Sequence, residues 1–139
     1  MTLSIRNQLP GTVSSITSGE AMSTVRVRLV GGQDITAAIT TDAVKDLGLS
    51  EGSEVRALVK STEVALATAP VTGLSIRNQL PGTVTGVTTG GAMASVRLDV
   101  DGAELTAAIT KDAVQDLALT PGTPAVALIK STEISLASA

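Results

Sequence analysis

The sequence contains no cysteine, no histidine and no Phe, Trp or Tyr. The absence of cysteine excludes disulfides and thiolate sites, and the absence of histidine removes the commonest general base and the commonest transition-metal ligand. Hydrophobic residues still make up 43% of the chain, so any core must be built from aliphatic side chains. We therefore expect a protein that is not an enzyme. Its small, ring-free cores should gain stability by packing on each other or on further chains.

Charge and hydropathy argue against two classes of partner. The 10 Lys and Arg residues are outnumbered by 13 Asp and Glu residues, which gives a net charge of −3. A negative chain without aromatic stacking platforms is unsuited to nucleic acid. No apolar run approaches the about 18 residues of a membrane span, and the first residues lack the pattern of a secretory signal. We expect a cytoplasmic protein with no membrane partner.

The chain consists of two copies of one unit. Residues 3–13 read LSIRNQLPGTV, and residues 74–84 repeat these letters without a change. Further matches follow in the same order through the rest of each copy. The sequence therefore predicts a first module at residues 1–68, a linker at residues 69–73 and a second module at residues 74–139.

Each unit begins with strand signals. Leu3 and Ile5 alternate with polar neighbours, which predicts a strand that ends at a Pro10-Gly11 turn. Val13 and Ile16 are out of phase with strict alternation, and the second copy keeps this slip, so we expect a β-bulge. Further strands and a Gly-Gly hairpin turn follow the bulge.

One short helix interrupts the later strands. Thr40 or Thr41 is a candidate N-cap, and Gly48 is a candidate for the residue that ends the helix. Ala118 replaces Gly48 in the second copy, so we expect the second helix to end differently. Val64 and Leu66 are expected to close the first unit. The fold class is all-β with one short helix per repeat, as two tandem OB-like small β-barrel modules.

Three polar groups are unchanged between the copies, although the strand surfaces between them differ. They are residues 4–7, Thr40 and residues 60–62, with their counterparts in the second copy. Together they supply guanidinium, ammonium, amide and hydroxyl donors. An oxyanion is the natural partner of such a set, because Arg matches two oxygens and Lys a third.

The alternative interpretation is structural. Arg6 and Lys60 could pair with Glu63 or Asp42 on the surface, where each ion pair contributes about 0–1 kcal/mol.

The residues that are unchanged between the two copies resemble the Mop family, the molbindins, whose modules are also called TOBE domains and bind molybdate or tungstate. The family's opening Ser-Ala-Arg-Asn-Gln/Val-Leu is similar to residues 4–9 and 75–80. Its closing Val-Ile-Lys-Ser/Ala-Thr/Ser is similar to residues 58–62 and 128–132. A tandem pair without a DNA-binding or ATPase domain looks like the free-standing di-Mop proteins.

The resemblance implies six modules in one particle, here a homotrimer of two-module chains, with molybdate or tungstate at interfaces between modules and no organic cofactor. Ile5 and Ile76 replace the family's usual Ala, at a position where the resemblance implies that the backbone N–H contacts the oxyanion. The oxyanion-binding residues that it implies are Ser4, Ile5, Arg6, Asn7, Thr40, Lys60, Ser61, Ser75, Ile76, Arg77, Asn78, Thr110, Lys130 and Ser131.

The implied function is storage, buffering or homeostasis of molybdenum. Two alternatives stand beside it. The chain could be a structural oligomerisation module, or a generic small-anion binder without selectivity for molybdate. Dependence of the melting temperature on oxyanions separates ligand binding from a purely structural role.

Overall fold

Alternating apolar and polar side chains form the strands of both repeats. The computed structural model describes residues 3–139. In β2, Met22–Leu29, the burial alternates at every residue, with Val25, Val27 and Leu29 turned inward. This period of two places one apolar face of each sheet on the core and leaves the other to solvent.

The two repeats contain the same elements in the same order. The first contains β1 (Asn7–Ser18), β2 (Met22–Leu29), β3 (Asp34–Thr40), α1 (Thr41–Asp46), β4 (Glu54–Val59), a 3₁₀ turn (Ser61–Glu63) and β5 (Ala65–Ala67). The second contains β6 (Asn78–Thr89), β7 (Met93–Val100), β8 (Ala103–Thr110), α2 (Lys111–Asp116), β9 (Pro124–Ile129), a 3₁₀ turn (Ser131–Glu133) and β10 (Ser135–Ser138).

The predicted bulge is confirmed in both copies. The β1–β2 register shifts between Val13 and Ser15, and the β6–β7 register shifts between Val84 and Gly86. A bulge bends a strand and increases its twist. The first half of β1 can therefore pair with β4 while its second half pairs with β2, as a small curled sheet requires.

The start of each repeat differs from the prediction. Leu3 and Ile5 precede β1 rather than lying in it, and the predicted Pro10-Gly11 turn is wrong because β1 continues through both residues. A Cβ at Gly11 would lie 2.6 Å from Val27 Cγ1, so glycine serves here for close approach of β2. Arg6 consequently lies immediately before a strand and not at its exit.

The helix ends are partly as predicted. Thr40 is the N-cap of α1, and its hydroxyl accepts a hydrogen bond from the Ala43 amide at 3.1 Å. Gly48 follows α1 with a φ of 61°, and Ala118 follows α2 with a φ of 52°. The expectation that the second helix ends differently is wrong, because Ala118 adopts the same left-handed conformation. That conformation costs a residue with a Cβ about 1–2 kcal/mol.

The two repeats exchange their last strands. One sheet has the order β10-β4-β1-β2-β3 and the other has the order β5-β9-β6-β7-β8. Leu66 in β5 is therefore paired with Ala127 of the second repeat, and Leu136 in β10 with Ala57 of the first. The expectation that Leu66 closes the first unit is wrong. Each sheet is completed by the other repeat.

The exchanged strands close each sheet into an OB-like barrel, because β10 approaches β3 and β5 approaches β8 at the sheet edges. The buried side chains of both repeats form one continuous cluster. The all-β fold class with one short helix per repeat is confirmed. The module bounds 1–68 and 74–139 stay a prediction about units of sequence. Among residues 3–139, neither helix is long and apolar enough to cross a membrane.

Candidate functional site

An arginine and a lysine meet at one end of each sheet. The β1–β4 ladder ends at the pair Asn7↔Val59, so Arg6 and Lys60 are the next residues on the two strands. The β6–β9 ladder ends in the same way at Asn78↔Ile129, which places Arg77 beside Lys130. We call these two groups, with the serine that follows each lysine, the first and second cation clusters.

The cation clusters form no ion pair with any carboxylate of residues 3–139. Within residues 3–139 the one ion pair joins Arg28 to Asp34 at 3.2 Å, on the exposed face of β2 and β3. The alternative in which Arg6 and Lys60 pair with Glu63 or Asp42 is therefore not what the structure shows. All four cations of the clusters are exposed. Two uncompensated positive charges per cluster favour a dianion.

Hydroxyl and backbone groups surround the cations. Ser61 and Ser131 are half-buried and open the two 3₁₀ turns directly after the lysines. Ser4 and Ser75 are exposed, two residues before the arginines.

The segment that carries each arginine is fixed by a glutamine. The Gln8 side chain donates to the Ile5 carbonyl at 3.0 Å, and Gln79 donates to the Ile76 carbonyl at 3.1 Å. Ile5 and Ile76 are half-buried, so their side chains anchor this segment while their backbone lies beside the cations.

The two asparagines behave differently from the other predicted site residues. Asn7 and Asn78 are 2% and 4% exposed. The Asn7 carboxamide accepts from the Thr106 amide at 2.8 Å and donates to the Thr106 carbonyl at 2.8 Å. The Asn78 carboxamide accepts from Thr36 at 2.8 Å and donates to it at 2.9 Å. Both side chains are thus engaged with the opposite repeat.

The two threonines act first as helix caps. The Thr110 hydroxyl accepts from the Ala113 amide at 3.1 Å, as Thr40 does in the first repeat. β8, which ends at Thr110, packs against the 3₁₀ turn of the first repeat, whereas β3 packs against that of the second. The strand that each threonine ends therefore lies against the 3₁₀ turn of the opposite repeat.

A second concavity lies between the repeats but does not suit an anion. A cleft of about 430 Å³ runs between the β2–β3 and β7–β8 hairpins, with Leu9 and Leu29 among its lining residues. The carboxylates of Asp101 and Glu104 also line it. Its negative charge separates it chemically from the cation clusters. In the described part of the chain, no group of acidic residues could hold a metal cation.

Sequence reasoning missed Thr36 and Thr106, whose backbone groups bind the asparagines. The residues of these contacts are 42 and 99 positions apart, and any side chain could supply the same backbone groups. No sequence pattern therefore predicts that Thr36 and Thr106 contact the asparagines.

The comparisons with known proteins show the family of the chain. A family model described as the TOBE domain matches residues 3–66 and 74–136. The molybdenum-pterin-binding protein MopB of Rhodobacter capsulatus is 42% identical over 136 residues, which are 96% of this chain and 50% of MopB. The chain thus spans about half the length of that relative. Molybdenum-pterin-binding protein 2 of Clostridium pasteurianum is 42% identical over 66 residues, 48% of this chain and 97% of the relative.

One solved structure matches from end to end. A structure of the cytoplasmic molybdate-binding protein ModG with molybdate bound has a TM-score of 0.95 and 39% sequence identity. The match covers 100% of both chains. The two-repeat architecture is therefore shared over the whole of both chains.

Proposed function

Because the chain belongs to the TOBE domain family, we propose that it binds molybdate, or tungstate as a dianion of the same shape, in the cytoplasm. The role that we propose is storage, buffering or homeostasis of molybdenum. The similarity to ModG over the whole of both chains supports the ligand and the compartment. Neither catalysis nor nucleic-acid binding is part of the proposal.

One observation carries the proposal. Each sheet ends in an exposed Arg–Lys pair without a protein counter-ion, followed by a half-buried serine hydroxyl. A tetrahedral dianion neutralises both charges, and its four oxygens take a guanidinium fork, an ammonium and a hydroxyl at once. An uncharged or cationic ligand would leave the repulsion between Arg and Lys unrelieved.

The proposed contacts with the oxyanion fall into two sets. The first set combines Ser4, Ile5, Arg6, Lys60 and Ser61 with Thr110, and the second combines Ser75, Ile76, Arg77, Lys130 and Ser131 with Thr40. The family resemblance supports the ten residues of the two sets other than the threonines. The packing of β8 and β3 on the 3₁₀ turns supports the crossed assignment of the two threonines.

We also propose that the chain forms a homotrimer. The core has no aromatic rings, and several large apolar side chains remain exposed on the surface. Val30 is 81% exposed, and Met22 and Met93 are 48% exposed each. Contacts between chains would cover this surface and add the buried area that small repeats lack.

The test of function is thermal unfolding in the presence of oxyanions. A ligand that binds only the folded protein, at about 100 times its Kd, stabilises by about 2.7 kcal/mol per site. For a chain of this length the melting temperature should rise by roughly 8 °C or more with molybdate. Sulfate at the same concentration is the control and should give a much smaller rise. Equal shifts with both ions would leave a generic anion binder, and no shift with either would leave a structural module.

A further inference from the structure

Asn7 and Asn78 are two of the three buried polar residues in the described part of the chain, the other being Ser23. A buried carboxamide without partners costs about 1–3 kcal/mol, so the contacts of these two side chains are decisive for where they lie. Neither side chain is left unsatisfied. Each is bonded across the repeat boundary, next to a cation cluster.

The side chain of each asparagine forms the pair of hydrogen bonds that the backbone of a neighbouring strand would form. Its Oδ1 and Nδ2 bind the N–H and the C=O of one and the same residue, Thr106 for Asn7 and Thr36 for Asn78. Thr106 and Thr36 lie in β8 and β3, which are the last strands of their sheets. Their outward backbone groups are not hydrogen-bonded to a further strand of the sheet, and the carboxamide takes the place of one.

Each carboxamide therefore has at most one Nδ2 proton left for an oxyanion. The Oδ1 atom repels an anion and is occupied, and one Nδ2 proton is already donated to the opposite repeat. What the carboxamide does fix is the distance between a cation cluster and the edge strand of the other repeat. That edge strand ends at the threonine assigned to the same cluster.

In the second cluster the asparagine also reaches the serine. Asn78 Nδ2 lies 3.4 Å from Ser131 Oγ, to which it donates. A hydroxyl that accepts from an amide keeps its own proton for another partner, and the proton then points away from the amide. The carboxamide thus leaves the Ser131 hydroxyl free to donate to a further partner.

We propose that Asn7 and Asn78 are positioning residues, which hold the edge strand of the opposite repeat against a cation cluster and do not themselves contact the oxyanion. Each binding site consequently depends on both repeats. This inference rests on the proposed oxyanion binding, and it replaces the expectation that the two asparagines are ligands.

The test uses a chain with one active site. In an Arg6→Ala/Lys60→Ala parent, molybdate affinity reports on the second cluster alone. Two variants are made in this parent, Asn78→Ala and Thr36→Pro. Thr36→Pro removes the outward N–H that donates to Asn78 Oδ1, together with the threonine side chain, on an edge strand where proline is tolerated. Both variants should weaken molybdate binding at least tenfold, although Thr36 is in the first repeat. In the ligand-free protein, Asn78→Ala should also speed hydrogen exchange of the Thr36 amide.

Val84→Ala is the matched control, because Val84 is buried in the same strand as Asn78 and its removal lowers stability without touching the cluster. Where Thr36→Pro does not fold, the same comparison is made at the first cluster, with Asn7→Ala and Thr106→Pro in an Arg77→Ala/Lys130→Ala parent. The Thr106 amide donates to Asn7 as the Thr36 amide donates to Asn78, so both variants should weaken binding at least tenfold. Affinity that falls with Asn78→Ala alone would make the asparagine a direct ligand. Affinity that falls no more than in Val84→Ala would leave only a stabilising role. Either result overturns the proposal, whereas a parent that binds no molybdate overturns the proposed function itself.

Discussion

Replacing Arg6 and Arg77 by alanine should weaken molybdate binding without lowering the stability of the ligand-free protein. Both arginines are exposed and form no ion pair, so their removal takes no apolar surface from the core. Continuing the strand register by one step beyond Asn7↔Val59 brings Arg6 opposite Lys60. Two like charges about 7 Å apart in water repel each other by about 0.6 kcal/mol.

Without ligand, the double variant should therefore be as stable as the original chain or slightly more stable, by at most about 0.6 kcal/mol per cluster, and less at high salt. With molybdate the order reverses. A hydrogen bond to a charged group contributes about 1.5–3 kcal/mol, so the affinity should fall by roughly one to two orders of magnitude. Thermal unfolding with and without molybdate, together with calorimetric titration, measures both quantities on one protein.

The charge-matched control is Arg26→Ala with Arg28→Ala. These arginines lie on the exposed face of β2, and the Arg28–Asp34 pair contributes about 0–1 kcal/mol. The control lowers the net charge by the same amount and should leave affinity within about twofold. If the control weakens molybdate binding as much as Arg6→Ala/Arg77→Ala does, attraction is a property of the whole surface and the cluster assignment is wrong. A loss of stability without ligand would make the arginines structural.

Three further results are expected. Ala118→Gly should raise the free energy of unfolding by about 0.5–1 kcal/mol and Gly48→Ala should lower it similarly, because both positions have positive φ. A lower melting temperature for Ala118→Gly, or a higher one for Gly48→Ala, would contradict this account of the helix ends. Deleting residues 135–139 should speed hydrogen exchange in β4 of the first repeat, where β10 is paired, and should spare β9; faster exchange in β9 instead would refute the strand exchange. Sedimentation should give the mass of a trimer at micromolar concentration, and a stable monomer would contradict the proposed assembly.

The local features of this fold are readable from the sequence because they depend on a few neighbouring residues. The slip between Val13 and Ile16 indicates the bulge, and Thr40, one of the two candidate N-caps, caps the helix. Pro10-Gly11 misleads, because Gly11 allows the close approach of β2 within a continuous strand and does not make a turn. Ala118 misleads in the opposite direction, since alanine adopts here a conformation that its side chain disfavours.

The exchange of strands leaves no local mark. β5 and β10 follow the same four letters, Lys-Ser-Thr-Glu, and either strand could in principle pair within its own repeat. Which sheet each strand joins depends on the linker and on the packing of the whole core. The role of the asparagines is hidden for the same reason. A retained Asn beside a retained Arg suggests a ligand, and only the distant edge strands show that its carboxamide is already engaged.

The most direct test of the central claim is equilibrium dialysis against molybdate in a large excess of sulfate, followed by elemental analysis of molybdenum and of protein. Two cation clusters per chain predict at least two molybdenum atoms retained per chain, because fixed donors spaced for the larger ion leave hydrogen bonds to sulfate unmade. The Arg6→Ala/Arg77→Ala protein dialysed alongside should retain much less. Molybdenum no higher inside than outside, or complete displacement by sulfate, would contradict the assignment of these clusters as molybdate sites.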